Sequence, residues 1–247
     1  VSFYLRYLIG KKKMSNPLPE HLAIIMDGNR TWAKKHGLST IKGHEKGLDV
    51  ARAICIYCNK LGIKNLTLYA FSIQNWSRPK IEIDALFNLF IDFFDNKSQF
   101  FHDYNLRFNP IGRIDELPKA IARKVRLLEE STRNNLGCCI NVAINYGGRE
   151  EILDAAKRII EKGLSIEDVN EESMKSNLYL TDTPDPELLI RTAGYSRVSN
   201  FLLWHIAYSE IDINQKLWPD FTEEDLEESL NIYKSIDRKF GGSSKND

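Results

Sequence analysis

The 247-residue chain has no charge imbalance: 34 Lys and Arg face 34 Asp and Glu, a formal net charge of zero. The long-range pull that a strongly basic chain exerts on nucleic acid is therefore missing, which leaves room only for a local phosphate site. Cysteine is scarce. Cys55, Cys58, Cys138 and Cys139 are too few and too unevenly spaced for a secreted disulfide framework. Cys55-x-x-Cys58 lies in an apolar helical run and has no second spaced pair, so the four read as small core residues in a reducing compartment. No apolar run approaches the ~20 residues that span a bilayer. Eight Pro and 14 Gly exclude collagen-like or disordered composition. G-x-G-x-x-G and G-x-x-x-x-G-K-[ST] are both absent, which removes the dinucleotide and P-loop readings.

What remains is an ordinary globular composition, 43% hydrophobic and 28% charged. The opening VSFYLRYLIGKKK (1–13) places its lysines after its apolar residues, the reverse of a signal peptide. It reads as a flexible extension (1–17) or as an interfacial anchor with a basic flank. A body over 18–242 and a tail over 243–247 follow. HLAIIM (21–26), LTLYAF (66–71), Leu106–Ile111, Cys138–Ile144 and Glu187–Arg191 are short apolar runs with strand character. Between them lie helical patterns over Gly43–Leu61, Ile83–Phe94, Leu117–Leu128, Gly148–Ile160, Ser165–Leu178 and Phe221–Arg238. This alternation predicts a single α/β domain with a mainly parallel central sheet flanked by helices. Ligands of such sheets bind beyond the carboxyl ends of the strands.

Three strand exits carry unusual polar clusters: Asp27-Gly28-Asn29-Arg30, then Ser72 with Asn75-Trp76-Ser77-Arg78, then Arg191-Thr192-Ala193-Gly194. Arg197, Ser199 and Asn200 follow, and later Glu210. A lone arginine most often pairs with a surface carboxylate, but several guanidiniums at one sheet edge suit phosphate oxygens, which they fork bidentately. Gly28 opens a helix whose first amides favour anions. Asp27 and Glu210 tolerate phosphate only with a divalent ion between them, and hard oxygen ligands point to Mg²⁺. Asp-Asp dipeptides are absent, so the aspartate-rich metal motif of the all-helical trans-prenyl synthases is missing.

HLAIIMDGNR (21–30), KGHEKG (42–47), LTLYAFSIQNWSRP (66–79), INVAINYGGREEI (140–152), LLIRTAGYSRVSNFLLWHIAYSEI (188–211), LWPDF (217–221) and RKFGG (238–242) resemble the cis-prenyltransferase family in order. The resemblance implies a homodimeric α/β enzyme with a hydrophobic tunnel. It implies addition of isopentenyl diphosphate to an allylic prenyl diphosphate, usually farnesyl diphosphate, with each new double bond Z. The implied product is a long polyprenyl diphosphate such as undecaprenyl diphosphate, a lipid carrier precursor for cell-wall glycans. By matching position, Asp27 would hold Mg²⁺, with Gly28, Asn29, Arg30 and Trp32 around the allylic phosphates. His44 and Ser72 would assist proton movement or phosphate binding. Asn75, Trp76, Arg78 and Glu82 would lie on a mobile segment beside the site. Arg191, Arg197 and Ser199 would bind isopentenyl diphosphate, and Glu210 would complete the metal environment, from this chain or across the dimer. The implied location is the cytoplasm, at most peripheral to the inner face of the membrane.

The proton acceptor stays open among His44, Asn29 and the departing diphosphate. Ile83–Phe94 is greasy on more than one face, as a helix would be that packs the core on one side and lines a channel on another. Cys138 is a candidate for the channel floor. Thr31 and Thr40 stand where the family usually has arginine, and Gln74 where it has glutamate, which implies a weaker or reorganised primer site.

Overall fold

The computed structural model describes residues 17–238, so the expectations for the opening segment and for the end of the chain fall outside the described residues. Strands β1 (His21–Ile25), β2 (Asn65–Ser72), β3 (Arg107–Ile111), β4 (Cys139–Tyr146), β5 (Leu188–Arg191) and β6 (Glu210–Ile213) form one sheet of order β3-β4-β2-β1-β5-β6. Every pairing is parallel. β1 is fully buried, and its apolar side chains divide by the period of two that a strand imposes. Leu22 and Ile24 enter the larger core with α2 (Thr40–Leu61), α3 (Lys80–Asp92), α5 (Lys119–Thr132) and α8 (Glu223–Ser235). Ala23 and Ile25 face a smaller core with Tyr146, Leu180, Phe201 and Leu202. The predicted single α/β domain with helices around a parallel sheet is what the chain forms.

The differences from expectation have local causes. β6 was not anticipated: Glu-Ile-Asp-Ile is four residues long and mixes charge with aliphatics, too short for a periodic signal. Ser165–Leu178 is not one helix. It is a 3₁₀ turn at Ile166–Asp168, then the five-residue α7 (Glu171–Lys175), which Asn170 caps by accepting the Ser173 amide at 3.0 Å. The aromatic helix begins earlier than Ile83, at Lys80 behind Pro79, and passes after Asp92 into a π-helical turn over Phe93–Lys97. Pro110 sits in β3, an edge strand, where a missing donor is tolerated.

Candidate active site

Asp27 follows β1 at the carboxyl edge of the sheet. Its backbone carbonyl accepts from the Trp218 amide at 2.9 Å and from the Thr192 hydroxyl at 2.7 Å. Gly28 then turns the chain at φ 115°, a conformation closed to side chains here because a Cβ would meet Leu217 at 2.9 Å. That turn starts α1 (Asn29–Lys35), which crosses α2 so closely that a Cβ on Gly47 would stand 2.3 Å from Asn29 Oδ1. Glycines at this crossing thus let Asn29 and His44 face the same space.

Arg191 ends β5, directly across from Ile25, and its side chain is 3% exposed. It donates to Asp27 Oδ2 from Nε at 3.0 Å and Nη2 at 2.5 Å, and from Nη1 to Ser199 Oγ at 2.9 Å and to the Arg197 carbonyl. A shift of register between Tyr69 and Ser72 bends the exit of β2, as a bulge does, and starts the turn Ile73–Ser77. There Asn75 accepts the Ser72 amide at 3.1 Å, and Trp76 Nε1 donates to Asn145 Oδ1 at 2.8 Å. Glu82 sits between two cations, at 3.2 Å from Arg78 and 3.9 Å from Arg30.

These strand exits enclose one cavity of about 920 Å³. Asp27, Gly28, Asn29, Arg30, His44, Ser72, Asn75, Arg78, Arg191, Arg197 and Ser199 all line it, so most of the residues predicted from sequence come together. Trp32, Trp76 and Glu82 do not. Trp32 donates to Asp220 at 2.7 Å and stacks on His36 at 4.2 Å, while Trp76 and Glu82 support the wall from behind. Glu210 lies elsewhere. It is the first residue of β6 and pairs with Leu188, whereas Arg191 pairs with Ile213, so within one chain Glu210 occupies the opposite edge of the sheet. Thr31 lines the cavity, and Thr40 is the first residue of α2.

Tyr69, Arg149, Glu150 and Tyr195 also line the cavity, without a role assigned from sequence, and so does Asn200 of the polar cluster after β5. The signal was available in Tyr146-Gly-Gly-Arg-Glu150, a fourth strand exit. Asn200 joins that exit to the loop after β5, since its side chain accepts the Arg149 amide and donates to Glu150, both at 2.9 Å.

Below the rim the wall turns apolar. Met26, Leu48, Ala51, Ala70 and Phe90 belong both to the large cavity and to a deeper recess of about 70 Å³, which ends among Phe93, Phe94, Phe101 and Phe108. The greasy helix does serve two sides, with Ile83 and Phe87 in the core and Leu86, Leu89 and Phe90 on the cavity. Cys138 corrects the expectation made for it. It precedes β4 and is buried in the core, and the β4 residues that line the recess are Ile140, Val142 and Ile144. The packing of Cys138 at the strand's amino end places it below that floor.

Two buried polar atoms in the site, Asn29 Oδ1 and His44 Nε2, have no hydrogen-bond partner among the described residues. Such groups are costly unless a ligand or water completes them. Burial, with Arg78 and Arg30 nearby, lowers the His44 pKa to about 4, so its ring is neutral at pH 7. No group of three or more metal-ligating side chains occurs among the described residues. Mg²⁺ does not require one, because it commonly takes one or two carboxylates and completes its shell with substrate phosphate and water. Asp27 fits that role: both contacts from Arg191 fall on Oδ2, and the side chain is 35% exposed toward solvent.

Comparison with known proteins agrees with this geometry. A sequence profile described as undecaprenyl diphosphate synthase matches residues 25–241. An isoprenyl transferase of Aquifex aeolicus is 46% identical over 228 residues, 92% of this chain and 98% of that protein. One of Fusobacterium nucleatum is 44% identical over 229 residues, 93% of this chain and 98% of that protein. Among solved structures, lavandulyl diphosphate synthase from Lavandula x intermedia, in complex with dimethylallyl diphosphate, has a TM-score of 0.87 at 36% identity, covering 91% of this chain and 99% of its own. A probable undecaprenyl diphosphate synthase from Campylobacter jejuni has a TM-score of 0.78 at 36% identity, covering 92% and 100%. With its fold and most of its length thus matched, the chain belongs to the undecaprenyl diphosphate synthase family of cis-prenyltransferases.

Proposed function

We propose that the chain lengthens farnesyl diphosphate with isopentenyl diphosphate units to a long Z-polyprenyl diphosphate of the undecaprenyl kind. The observation that carries this reading is the continuity of one cavity. Its rim holds Asp27 and five arginines, Arg30, Arg78, Arg149, Arg191 and Arg197, and its floor runs on into an aromatic recess. Charged headgroups at the rim and a growing hydrocarbon below match those two surfaces, at ~0.8 kcal/mol for each methylene buried. The lavender neighbour, crystallised with an allylic diphosphate, supports such a headgroup in this fold.

The allylic diphosphate lies against Gly28, Asn29, Arg30, His44 and Arg78, and isopentenyl diphosphate against Arg197 and Ser199. Asp27 would hold Mg²⁺ together with phosphate oxygens, and the ion would there supply neutralisation of the charge on the leaving diphosphate. Arg30 and Arg78 stabilise the same developing charge from fixed positions. Neutral His44 is a poor proton store at a pKa of about 4, so it holds a phosphate oxygen by hydrogen bond. The amide of Asn29 is no base, and the proton lost after each addition passes to the released diphosphate. Thr31, with its short neutral side chain on the cavity wall, leaves the primer headgroup to Arg30 and Arg78.

Glu210 would reach such a centre only from a second copy, in keeping with a homodimer. No helix among the described residues is long and apolar enough to cross a membrane, and a cytoplasmic enzyme passes its product to the inner bilayer face by peripheral contact.

Purified protein with farnesyl diphosphate, radiolabelled isopentenyl diphosphate and Mg²⁺ tests the proposal. The expected result is EDTA-sensitive incorporation into Z-polyprenyl products resolved by chromatography. No incorporation by the lone chain would overturn it in favour of a non-catalytic subunit.

A further inference from the structure

We propose that Tyr195 is a positioning residue for the second diphosphate: its ring holds the Arg197 guanidinium in place before isopentenyl diphosphate arrives. The inference rests on the functional reading above.

Cζ of Arg197 lies 4.5 Å from the centroid of the Tyr195 ring, and Cζ of Arg191 lies 5.5 Å from it. The two cations differ in what else holds them. Arg191 is buried and engaged through Nε, Nη1 and Nη2 on Asp27, Ser199 and the Arg197 carbonyl. Arg197 is exposed, and its guanidinium pairs with no carboxylate among the described residues. An exposed arginine carries large rotamer freedom, and ordering it on binding subtracts from affinity. An aromatic face limits that freedom by attraction to the ring quadrupole. It also spends none of the five N–H donors, which point outward in the guanidinium plane. A carboxylate in the same place would compete with phosphate for those donors, whereas a ring does not.

The backbone that carries these side chains is already set. Six non-glycine residues have positive φ among the described residues, and four of them fall in 193–202: Ala193 at 66°, Ser199 at 49°, Asn200 at 62° and Leu202 at 45°. Such conformations persist only where the surroundings impose them, and here Asn200 bonds to Arg149 and Glu150. With the loop so constrained, the torsions of Arg197 are its main remaining freedom. Tyr195 is the side chain that limits them.

Calorimetry of the intact protein with isopentenyl diphosphate alone, where no primer is present and no condensation begins, tests the inference. Tyr195→Ala should weaken binding about fivefold, or ~1 kcal/mol at 1.4 kcal/mol per tenfold, and Tyr195→Phe should bind as the parent does. In steady state the alanine variant should raise the KM for isopentenyl diphosphate, with kcat and the KM for farnesyl diphosphate unchanged. Tyr195 is 44% exposed, so thermal melting should not separate the variants. Equal affinity in the alanine variant would overturn the inference. So would a phenylalanine variant as weak as alanine, since the hydroxyl rather than the ring would then be the contact. A parent protein that binds no isopentenyl diphosphate would instead overturn the functional reading itself.

Discussion

Arg191 and Asp27 stand 164 positions apart in the chain, yet both Nε and Nη2 of the arginine close on one carboxylate oxygen, at 3.0 and 2.5 Å. Adjacent parallel strands impose the meeting, because Ile25 and Arg191 are register partners and Asp27 lies two residues beyond. The pair joins the two halves of the rim, and its buried member depends on its half-buried one.

Asp27→Ala should therefore have two effects that Asp27→Asn separates. Alanine leaves Arg191, 3% exposed, without its counter-charge and should destabilise the fold by about 2 kcal/mol, or ~4–8 °C in Tm. Asparagine keeps the shape and one acceptor and should melt nearer the parent. On the role proposed for Asp27 in holding Mg²⁺, both should lower kcat by about 10²–10³, the scale of losing one fixed electrostatic contact to a developing charge. Calorimetric melting beside initial rates checks this. An asparagine variant with parental turnover would show that Asp27 serves the fold alone.

The His44 ring should titrate near pH 4 in the free protein, because burial and then Arg78 and Arg30 oppose its charge. The sign follows directly. Its depressed value favours the neutral form, so the group contributes no His-like limb to kcat/KM between about pH 5.5 and 8. Bound pyrophosphate offsets both cations and should raise the midpoint by at least one pH unit. Imidazole ¹H–¹⁵N spectra with and without pyrophosphate read both values. A free-protein midpoint near 6.5 would place the ring in solvent and sink the prediction.

Much of this arrangement was legible beforehand, and the reasons are physical. A strand such as β1, buried on both faces, writes an uninterrupted apolar run, and a left-handed turn after it demands a residue like Gly28, so both strand and rim can be read locally. The three polar clusters marked strand exits because polar residues that end an apolar run have few other places to go. Orientation was not legible to the same degree. Trp32 and Trp76 flank the right residues, but their rings turn to Asp220 and Asn145, partners that no spacing along the chain announces. The position of Glu210 was not legible for a related reason: a four-residue strand decides at which edge of the sheet it lies within one chain, and Glu-Ile-Asp-Ile gives that strand little signature.

His205 should make the fold sensitive to alkali. Burial lowers its pKa, but hydrogen bonds to Asp185 at 3.1 Å and Glu151 at 3.3 Å overcome that and raise it to about 9. Lys175 pairs with the same Asp185, the Tyr146 hydroxyl bonds the same Glu151, and His21 lies within electrostatic range. A pKa raised from 6.5 gives stability that is complete below pH 6.5 and lost as pH climbs toward 9, on the order of 2–3 kcal/mol. Melting scans from pH 6.5 to 9 should show Tm falling by roughly 5–10 °C. His205→Gln keeps hydrogen bonding without the charge and should flatten that slope. An unchanged slope in the glutamine variant would assign it to other groups.

Product length should respond to the recess rather than to Cys138. Ala51 lines both the cavity and the recess, so Ala51→Leu narrows the passage between them and should shorten the longest product. At the far end Phe94 packs edge-on to Phe108 at 6.1 Å, and Phe101 lies 5.4 Å from the same ring. A chain growing past Phe90 must displace this cluster. Each aromatic contact adds about 0.5–1.5 kcal/mol to the cost, and the methylenes gained in the apolar recess offset it only while space remains. Phe94→Leu removes ring area yet keeps an apolar filler, which limits the stability lost, and should lengthen the product by one or two isoprene units. Chromatography of the polyprenyl alcohols after dephosphorylation reads both shifts. Cys138→Phe, a substitution in the core below the floor, should reduce Tm without moving the distribution. A shortened product from that variant, or unchanged lengths from both Ala51→Leu and Phe94→Leu, would place the growing chain outside this recess.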